Sequence, residues 1–195
     1  MKVLVACEES QAVTIAFRER GHEAYSCDIL DCSGGHPEWH IKADIRTLLK
    51  DYFDLVIFHP VCTRLTNSGV MWLEKRNLWD DLDRAIEFFN LRHQFNSPKV
   101  ATENPIPHKY AISGIGKYNQ IIQPYQFGHP ERKATCLWLK RLPLLKETNN
   151  VYEQMKKLPK NQAQRIHYIP PGPERARLRS KTFPGIAKAM AEQWG

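Results

Sequence analysis

The sequence predicts an α/β fold: a doubly wound, mostly parallel sheet covered by helices on both faces. Short apolar segments rich in β-branched residues alternate with segments of helical periodicity, which is the pattern of such a sheet. The clearest strand segments, at 54–58 and 99–102, are apolar almost throughout, as strands buried on both faces are. A chain of 195 residues with 42% hydrophobic residues has the size of one domain with a substantial core. We therefore expect a single domain over 1–195.

Each element is predicted from its own local pattern. Leu82, Ile86 and Phe89 recur at helical spacing, Gly21 is placed to end the first helix, and Pro184 is suited to begin the last one. The predicted order is a strand over 2–6, a helix over 11–20, strands over 23–27 and 54–58, a helix over 78–95, strands over 99–102 and 134–139, and a helix over 184–193.

The segment 143–179 differs from the rest of the chain. It contains Asn149-Asn150 and several prolines, and its cations outnumber its acids. Such a composition is typical of irregular structure. We expect a short, basic, irregular insertion here that belongs to the one domain.

The net charge of +7 is unevenly distributed. Residues 132–181 contain 13 Lys and Arg against 3 Glu, whereas residues 1–131 contain 14 Lys and Arg against 17 Asp and Glu. The basic last third favours a polyanionic partner, DNA or another nucleic acid, over the alternative of a solvated basic surface.

Two further features concern the cellular environment. No apolar run approaches the roughly 18 to 20 residues needed to cross a bilayer, so no membrane partner is expected. The five cysteines are odd in number and lie mostly in or beside strand-like segments. This pattern favours the reducing cytoplasm over a disulfide scaffold.

A cysteine follows the strand at 54–58. Cys62 stands two residues behind Pro60, and polar residues follow it. The carboxyl ends of parallel strands form the crevice where ligands bind, and a cysteine attacks as its thiolate. His59 and Arg64 are expected to lower the pKa of the thiol through their positive charge. We favour a nucleophile over the alternative of a buried structural cysteine.

A carboxylate follows the next strand. Glu103 comes after Val100-Ala101-Thr102 and before Asn104. Desolvation there is expected to raise the pKa of Glu103 and so let it donate a proton. The structural alternatives are an N-cap or a surface ion pair. The presence of Cys62 at a second strand end favours the catalytic interpretation.

The loop after the first strand is where such folds hold a nucleotide-like ligand, and an acid ending the second strand can bind ribose hydroxyls. Asp28 has that position, with a solvated surface acid as the alternative. The loop Glu8-Glu9-Ser10-Gln11 contains no glycine. Without glycine, the backbone approaches a ligand less closely.

Two other patterns are weaker. His108 and Tyr110 follow a proline-stiffened turn, and they either line the mouth of a pocket and stack on a base or belong to an ordinary surface turn. A loose zinc-like spacing joins Cys27, Cys32, His36 and His40. We favour core and loop roles for these four residues, so no metal is expected.

Taken together, these motifs resemble those of the cytosine carbon-5 DNA methyltransferase family, and most closely its small, phage-type members without a large target-recognition domain. The family's Pro-Cys motif corresponds to Pro60-Val61-Cys62, and its Glu-Asn-Val motif corresponds to Glu103-Asn104-Pro105. The weaker correspondences are the glycine-rich motif at 6–11, the cofactor acids Asp28 and Asp44, the Gln-x-Arg-x-Arg motif at 130–135 and the last motif at 180–185.

The resemblance implies a Rossmann-like, S-adenosylmethionine-dependent enzyme that methylates carbon 5 of cytosine in DNA. Cys62 would add to ring carbon 6 while Glu103 contacts ring nitrogen 3, and Asn104 would help to fix the loop that holds Glu103. A target in duplex DNA would leave the stack at a cost of about a few kcal/mol. The implied contacts are Cys7, Glu8, Ser10, Asp28, Asp44 and Pro60 for the cofactor, and Arg64, Arg132 and Lys133 for the flipped nucleotide or its phosphate.

The chain departs from the family pattern at 130–135, where Glu131 replaces glutamine and Thr135 replaces the second arginine. Two other features of the sequence favour other functions. The glycine-free loop favours a catalytically inactive DNA-binding or restriction-interfering protein of the same fold. The missing recognition domain favours an enzyme that acts on free cytidine nucleotides. Phosphate contact is the expected role of the basic side chains Arg165, His167, Arg175, Arg177 and Arg179.

Overall fold

The computed structural model describes residues 1–172 and 174–195. Within them, one seven-stranded sheet forms the centre of the molecule, with the spatial order β3-β2-β1-β4-β5-β7-β6. The strands are β1 (Lys2–Ala6), β2 (Glu23–Asp28), β3 (His40–Lys42), β4 (Leu55–Phe58), β5 (Lys99–Pro105), β6 (Gln120–Ile122) and β7 (Thr135–Lys140). β1 to β5 pair in parallel, whereas β7 runs antiparallel to β5 and to β6. The predicted α/β class with a mostly parallel sheet is confirmed.

Helices cover both faces of the sheet. Those in the described residues are α1 (Ala12–Glu19), α2 (Met71–Lys75), α3 (Trp79–Asn90), α4 (Lys109–Ile115), α5 (Tyr152–Lys156), α6 (Lys160–Ala163), α7 (Arg165–Tyr168), α8 (Glu174–Ser180) and α9 (Pro184–Trp194). Over the same residues, no helix combines the length and the apolar character needed to cross a lipid bilayer.

The central strands are buried on both faces, as their apolar sequences predict. In β1, Val3 and Val5 belong to the hydrophobic cluster that includes α1 and α9. Leu4 belongs to the opposite cluster, with Phe58 and Phe95. Successive side chains of a strand point to opposite faces, so an unbroken apolar run serves both layers.

The strand that contains Glu103 is longer than predicted. β5 continues through Glu103 to Pro105 because β7 pairs with it, placing Glu103 opposite Leu137 and Asn104 opposite Cys136. Glu103 therefore lies inside a strand and not after its end, which corrects the expectation. The partner strand comes much later in the chain, so the local sequence around Glu103 does not reveal the pairing.

Several short elements were not predicted. β3 and β6 have three residues each, which is too short to show an alternating pattern. α2 and α4 were also missed, and the helix expected over 78–95 ends at Asn90, followed by a 3-10 turn over Leu91–His93. These differences do not change the topology.

The basic segment 143–179 contains four short helices, α5 to α8, where irregular structure was expected. Its residue Pro173 lies outside the described residues. Leu145 and Ile166 of this segment are buried in the same hydrophobic cluster as α1 and α9. The segment is therefore packed on the main core.

Candidate active site

Three strand ends meet at one edge of the sheet. β1, β4 and β5 are parallel neighbours, so their carboxyl ends lie side by side. From β1 the chain continues to β2 on one side, and from β4 it continues to β5 on the other. A crevice for ligands is expected where the chain direction divides in this way. The Cys7 loop, the turn Pro60-Val61-Cys62 and Glu103 all lie at this edge.

Glu103 forms an ion pair with His59. The Nδ1 atom of His59 is 3.2 Å from Oε1 of Glu103, and the two side chains are only 10% and 18% exposed. Burial alone would lower the pKa of His59, but the hydrogen bond and charge of Glu103, and the charge of Glu8, raise it above its ordinary value. Glu103 and Glu8 therefore both favour the protonated form of the imidazole.

The pKa of Glu103 lies below its ordinary value, which corrects the expected rise. Burial does push this pKa upward, but the hydrogen bond and charge of His59, together with the charge of Lys133, outweigh burial. Glu103 is thus a carboxylate at neutral pH. A proton that it donates during a reaction must first reach it from a neighbour such as His59.

The thiol of Cys62 has a raised pKa, which corrects the expected lowering. Burial and the negative charge of Glu103 raise it, and the cations Lys133 and Arg179 oppose the rise only in part. The two cations that the sequence proposed for this role have other partners, because His59 pairs with Glu103 and Arg64 with Asp81 at 3.2 Å. Cys62 is therefore a thiol at neutral pH.

His108 joins the loop after Cys62 to the loop after Glu103. Its side chain is buried, its Nε2 donates to the Arg64 carbonyl at 2.8 Å, and its Nδ1 accepts from the Ala111 N–H at 3.1 Å. Its own N–H donates to the Leu65 carbonyl, and Thr66 forms an isolated β-bridge with Pro107. The surface-turn and base-stacking interpretations of His108 are both wrong, since its ring is inside the protein.

Asn104 is fully buried beside Glu103. Its Nδ2 donates to the Pro105 carbonyl at 2.6 Å, whereas its Oδ1 has no hydrogen-bond partner among the described residues. The side chain is thus bonded to the backbone at the end of β5.

Of the three expected substrate contacts, the structure brings one to Cys62 and Glu103. The charge of Lys133 acts on both groups, and burial lowers the pKa of Lys133 itself. Arg64 is directed to Asp81 at the rim of a shallow cleft of about 330 Å³ beside the Cys62 turn. Arg132 faces a separate groove of about 190 Å³ along α5 and α6.

The basic segment reaches the same edge. Arg165 of α7 forms an ion pair with Glu131 at 3.0 Å, next to the stretch that supplies Lys133. Arg179 of α8 is one of the cations whose charge acts on the Cys62 thiol and on Lys133. The last third of the chain therefore completes the charge balance around Cys62.

The loop after β1 takes an unusual backbone shape without glycine. Cys7 and Gln11 have φ values of 60° and 56°, a left-handed conformation that glycine adopts most readily. The Gln11 amide donates to the His36 carbonyl, and its Oε1 accepts from the His36 N–H. Gly34 packs so closely that an added Cβ would lie 2.8 Å from the Ser10 carbonyl. Gly34, from the segment after β2, is thus the glycine that allows the two loops to pack closely together.

The expected cofactor residues fall into two groups. Cys7, Asp28 and Asp44 lie near one another. Burial raises the pKa of the Cys7 thiol most, and the charges of Asp28 and Asp44 raise it further. Asp44 also forms an ion pair with Arg46 at 2.8 Å. The carboxylate of Glu8 instead caps α1, accepting from the Val13 N–H at 2.6 Å. Ser10 and Pro60 are buried at the same edge.

These features fit S-adenosylmethionine in part. The loop after β1 has the left-handed turns that a close backbone approach needs, and the acids after β2 and β3 suit ribose hydroxyls and a cationic sulfonium group. Glu8 offers only its backbone, because its carboxylate is used in the cap.

The residues of the zinc-like spacing have other partners. Cys27 is buried in the sheet, and His40 contacts Ser26 through Nδ1 and Leu30 through Nε2. The ring of His36 stacks on Trp39 at 3.9 Å. Within the described residues, no three His, Cys, Asp or Glu side chains are grouped as metal ligands.

The sequence interpretation missed three contributors. His59 was taken as an activator of the thiol, yet it pairs with Glu103. His108 was not recognised as a link between loops, and Arg179 was assigned only to phosphate contact. His59 stands directly before the Pro60 turn, so its place at the strand end was a usable signal. His108 and Arg179 gave no comparable signal.

Comparison with solved structures identifies the fold. A protein described as a DNA modification methyltransferase, from an Escherichia coli prophage, has a TM-score of 0.48 at 14% identity, covering 82% of this chain and 56% of its own. The Entamoeba histolytica methyltransferase EhMeth has a TM-score of 0.50 at 14% identity, with coverages of 77% and 57%. An rRNA methylase from Escherichia coli has a TM-score of 0.40 at 16% identity, with coverages of 71% and 55%.

The chain spans a little more than half the length of these solved proteins. The likeness to EhMeth and the sheet order show that this protein has the fold of S-adenosylmethionine-dependent methyltransferases. Neither the protein-family models nor the curated proteins give a match.

Proposed function

We propose that the protein transfers a methyl group from S-adenosylmethionine to carbon 5 of cytosine in DNA, through a covalent adduct at Cys62. The observation that supports this most strongly is the convergence of Cys62 and Glu103 at one edge of the sheet, with the cations His59 and Lys133 beside them. A thiol and a hydrogen-bonding acid are what activation of a pyrimidine ring at carbon 5 requires.

In this proposal Cys62 forms a bond to ring carbon 6, and electron density moves to ring nitrogen 3. Glu103 contacts nitrogen 3 and passes on a proton that His59 supplies across the 3.2 Å contact. The nearby cations Lys133 and Arg179 favour the thiolate form of Cys62. Water would take the proton of the Cys62 thiol as the bond to carbon 6 forms. Carbon 5 would then take the methyl group as the methyl–sulfur bond of the donor breaks and leaves a thioether. The thiolate would leave once water takes the proton of carbon 5 and Glu103 takes back the proton of nitrogen 3.

DNA is the preferred substrate because the basic segment is next to the site. Residues 132–181 carry a large excess of cations, and Arg179 and Lys133 from this stretch act on Cys62. A polyanion that follows this surface passes the thiol. The cofactor would contact Cys7, Asp28 and Asp44 together with the backbone of the loop after β1.

Cytosine-containing DNA with radiolabelled methyl donor tests the proposal. The wild-type protein should incorporate label, Cys62→Ala should not, and Cys32→Ala should retain activity because Cys32 lies on a different loop. On DNA with 5-fluorocytosine, the wild-type protein should form an adduct that survives denaturation, since fluorine cannot leave as a proton does. Equal incorporation by wild type and Cys62→Ala would refute the role of Cys62.

A second candidate is a DNA-binding protein of the same fold without methyl transfer. It is favoured by the raised pKa of Cys62 and by the use of the Glu8 carboxylate in the cap of α1. Calorimetry separates the two functions. Salt-sensitive DNA binding with no detectable binding of S-adenosylmethionine would select this second candidate.

A further inference from the structure

Several exposed apolar side chains lie in the segments around Cys62 and after Glu103, including the helices α2, α3 and α4. Val61 is 65% exposed next to Cys62, and Ile106 is 40% exposed just beyond Glu103. Trp72, Trp79 and Tyr110, here called the aromatic strip, are 38%, 38% and 41% exposed. Large apolar side chains grouped on a surface indicate a site of contact.

The aromatic strip is preorganised. The ring of Trp79 packs edge-on against Tyr110, with 5.2 Å between the ring centroids. The Lys109 ammonium lies 4.8 Å from the Tyr110 ring, and the Arg76 guanidinium lies 4.2 Å from the Trp72 ring. A ligand that fits this surface needs flat apolar faces and negative charge.

The strip is joined to the candidate active site by backbone contacts. Trp72 and Trp79 belong to the segment that follows the Cys62 turn, and Tyr110 belongs to the segment that follows Glu103. The Thr66–Pro107 bridge and the His108 contacts hold these two segments together. The strip therefore keeps a fixed relation to the thiol and the carboxylate.

Cations are supplied by two regions, the helix α8 near Cys62 and the segments that carry the strip. α8 contributes Arg175 and Arg177 together with Arg179, whose charge acts on Cys62. Within the strip itself, the charge is closer to balanced, because Glu74 and Asp80 lie among Lys75, Arg76 and Lys109. Stacking, more than charge, should therefore determine which ligand the strip prefers.

We propose that the strip and α8 bind an unpaired DNA strand, so that the site acts on cytosine in single-stranded DNA. The inference rests on the proposed function for the choice of DNA and cytosine. Bases in a duplex hide their faces in the stack, whereas unpaired bases stack on aromatic side chains and the backbone follows cations. A target in a single strand also avoids the cost of leaving a paired stack.

Fluorescence anisotropy with the wild-type protein and no methyl donor tests this inference. A short fluorescein-labelled DNA strand should bind about tenfold or more tightly than the blunt duplex of the same sequence at the same salt concentration. Equal or tighter binding of the duplex would overturn the inference. Tighter binding of the RNA strand of the same sequence would overturn the choice of DNA.

Substitutions locate the binding surface. Tyr110→Ala and Trp72→Ala should each weaken single-strand binding about fivefold or more, and Tyr110→Phe should keep it, since the stacking face remains. Tyr52→Ala is the matched control, because Tyr52 is 54% exposed before the amino end of β4, at the opposite edge of the sheet. If Tyr110→Ala binds as tightly as Tyr52→Ala, while both melt as wild type does, the strip is not the binding surface.

The two proposals fail separately. Methyl transfer to duplex DNA without preference for a single strand would overturn this inference and leave the proposed function in place. Tight single-strand binding that depends on Tyr110, without methyl transfer, would support the binding surface and refute the enzyme.

Discussion

The two halves of the crevice edge differ in how their acidic side chains are held. After β4 and β5, Glu103 is nearly buried and balanced by His59 and Lys133, which come from distant parts of the chain. After β1 and β3, Glu8 caps the helix that follows it, and Asp44 pairs with Arg46 two residues away. In the first group the hydrogen-bond and charge partners come from distant positions, so changing one member should alter the pKa of the others, whereas the hydrogen bonds of Glu8 and Asp44 are local.

Glu103→Gln should have the largest effect and tests the coupling directly. The amide keeps the volume but removes the negative charge, so the pKa of Cys62 should fall and alkylation of its thiol by iodoacetamide at neutral pH should accelerate. Methyl transfer should drop about a hundredfold or more, because the amide cannot pass a proton from His59 to nitrogen 3. Mass spectrometry of the alkylated peptide gives the first rate, with the exposed Glu23→Gln as control. Unchanged alkylation would show that Glu103 does not act on Cys62.

His108→Leu should destabilise the protein by about 2 kcal/mol, because the Arg64 carbonyl and the Ala111 N–H lose their buried partner. Urea unfolding measures the change. His93→Leu is the control, since His93 is exposed. If both variants unfold at the same urea concentration as wild type, His108 is not the link between the two loops.

The His59–Glu103 pair predicts a pH-dependent contribution to stability. Because the pKa of His59 is raised in the folded protein, protonated His59 stabilises the fold below pH 6.5, its ordinary pKa. This stabilisation is lost as pH rises through the raised pKa. Because the pKa of Glu103 is lowered in the folded protein, the ionised carboxylate stabilises the fold above pH 4.5, its ordinary pKa. This stabilisation is lost as pH falls through the lowered pKa. The difference in the free energy of unfolding between wild type and His59→Gln should therefore be greatest between pH 4.5 and pH 6.5. A difference that does not vary with pH would contradict the ion pair.

The smallest effects are expected in the locally held half. Asp28→Asn should weaken binding of S-adenosylmethionine about fivefold, in line with a loss of about 1 kcal/mol, the net contribution of one hydrogen bond. Asp44→Asn should have a smaller effect, because the Asp44 carboxylate is already shared with Arg46. Isothermal titration calorimetry measures both. A larger loss for Asp44 would show that its pair with Arg46 opens when the cofactor binds.

The sequence predicted the elements whose pattern is local. β1 was predicted with its observed bounds, and the last helix differs by one residue, because a buried apolar run and a proline at a helix start are local signals. The continuation of β5 through Glu103 was not predictable in this way, since it depends on pairing with β7.

The same contrast between local and long-range signals applies to the candidate active site. The position of Cys62 just after β4 follows from the order of residues, whereas Glu103 lies within β5, and both are at the same edge of the sheet. Their pKa directions were predicted wrongly, because burial and the charge of Glu103 prevail at Cys62, whereas His59 and Lys133 outweigh burial at Glu103. Charge balance in a buried site is set by residues that only the tertiary fold brings together.

The insertion of β7 next to β5 also sets the order in which the site is assembled during synthesis. A nascent chain that has emerged as far as β5 already contains Cys62, His59 and Glu103, but neither Lys133 nor Arg179. Until the last third of the polypeptide has left the ribosome and folded, the thiol lacks both of its compensating cations. In an incomplete translation product, neither cation would therefore offset the effect of the Glu103 charge on the thiol, and the balance around Cys62 is complete only when folding ends.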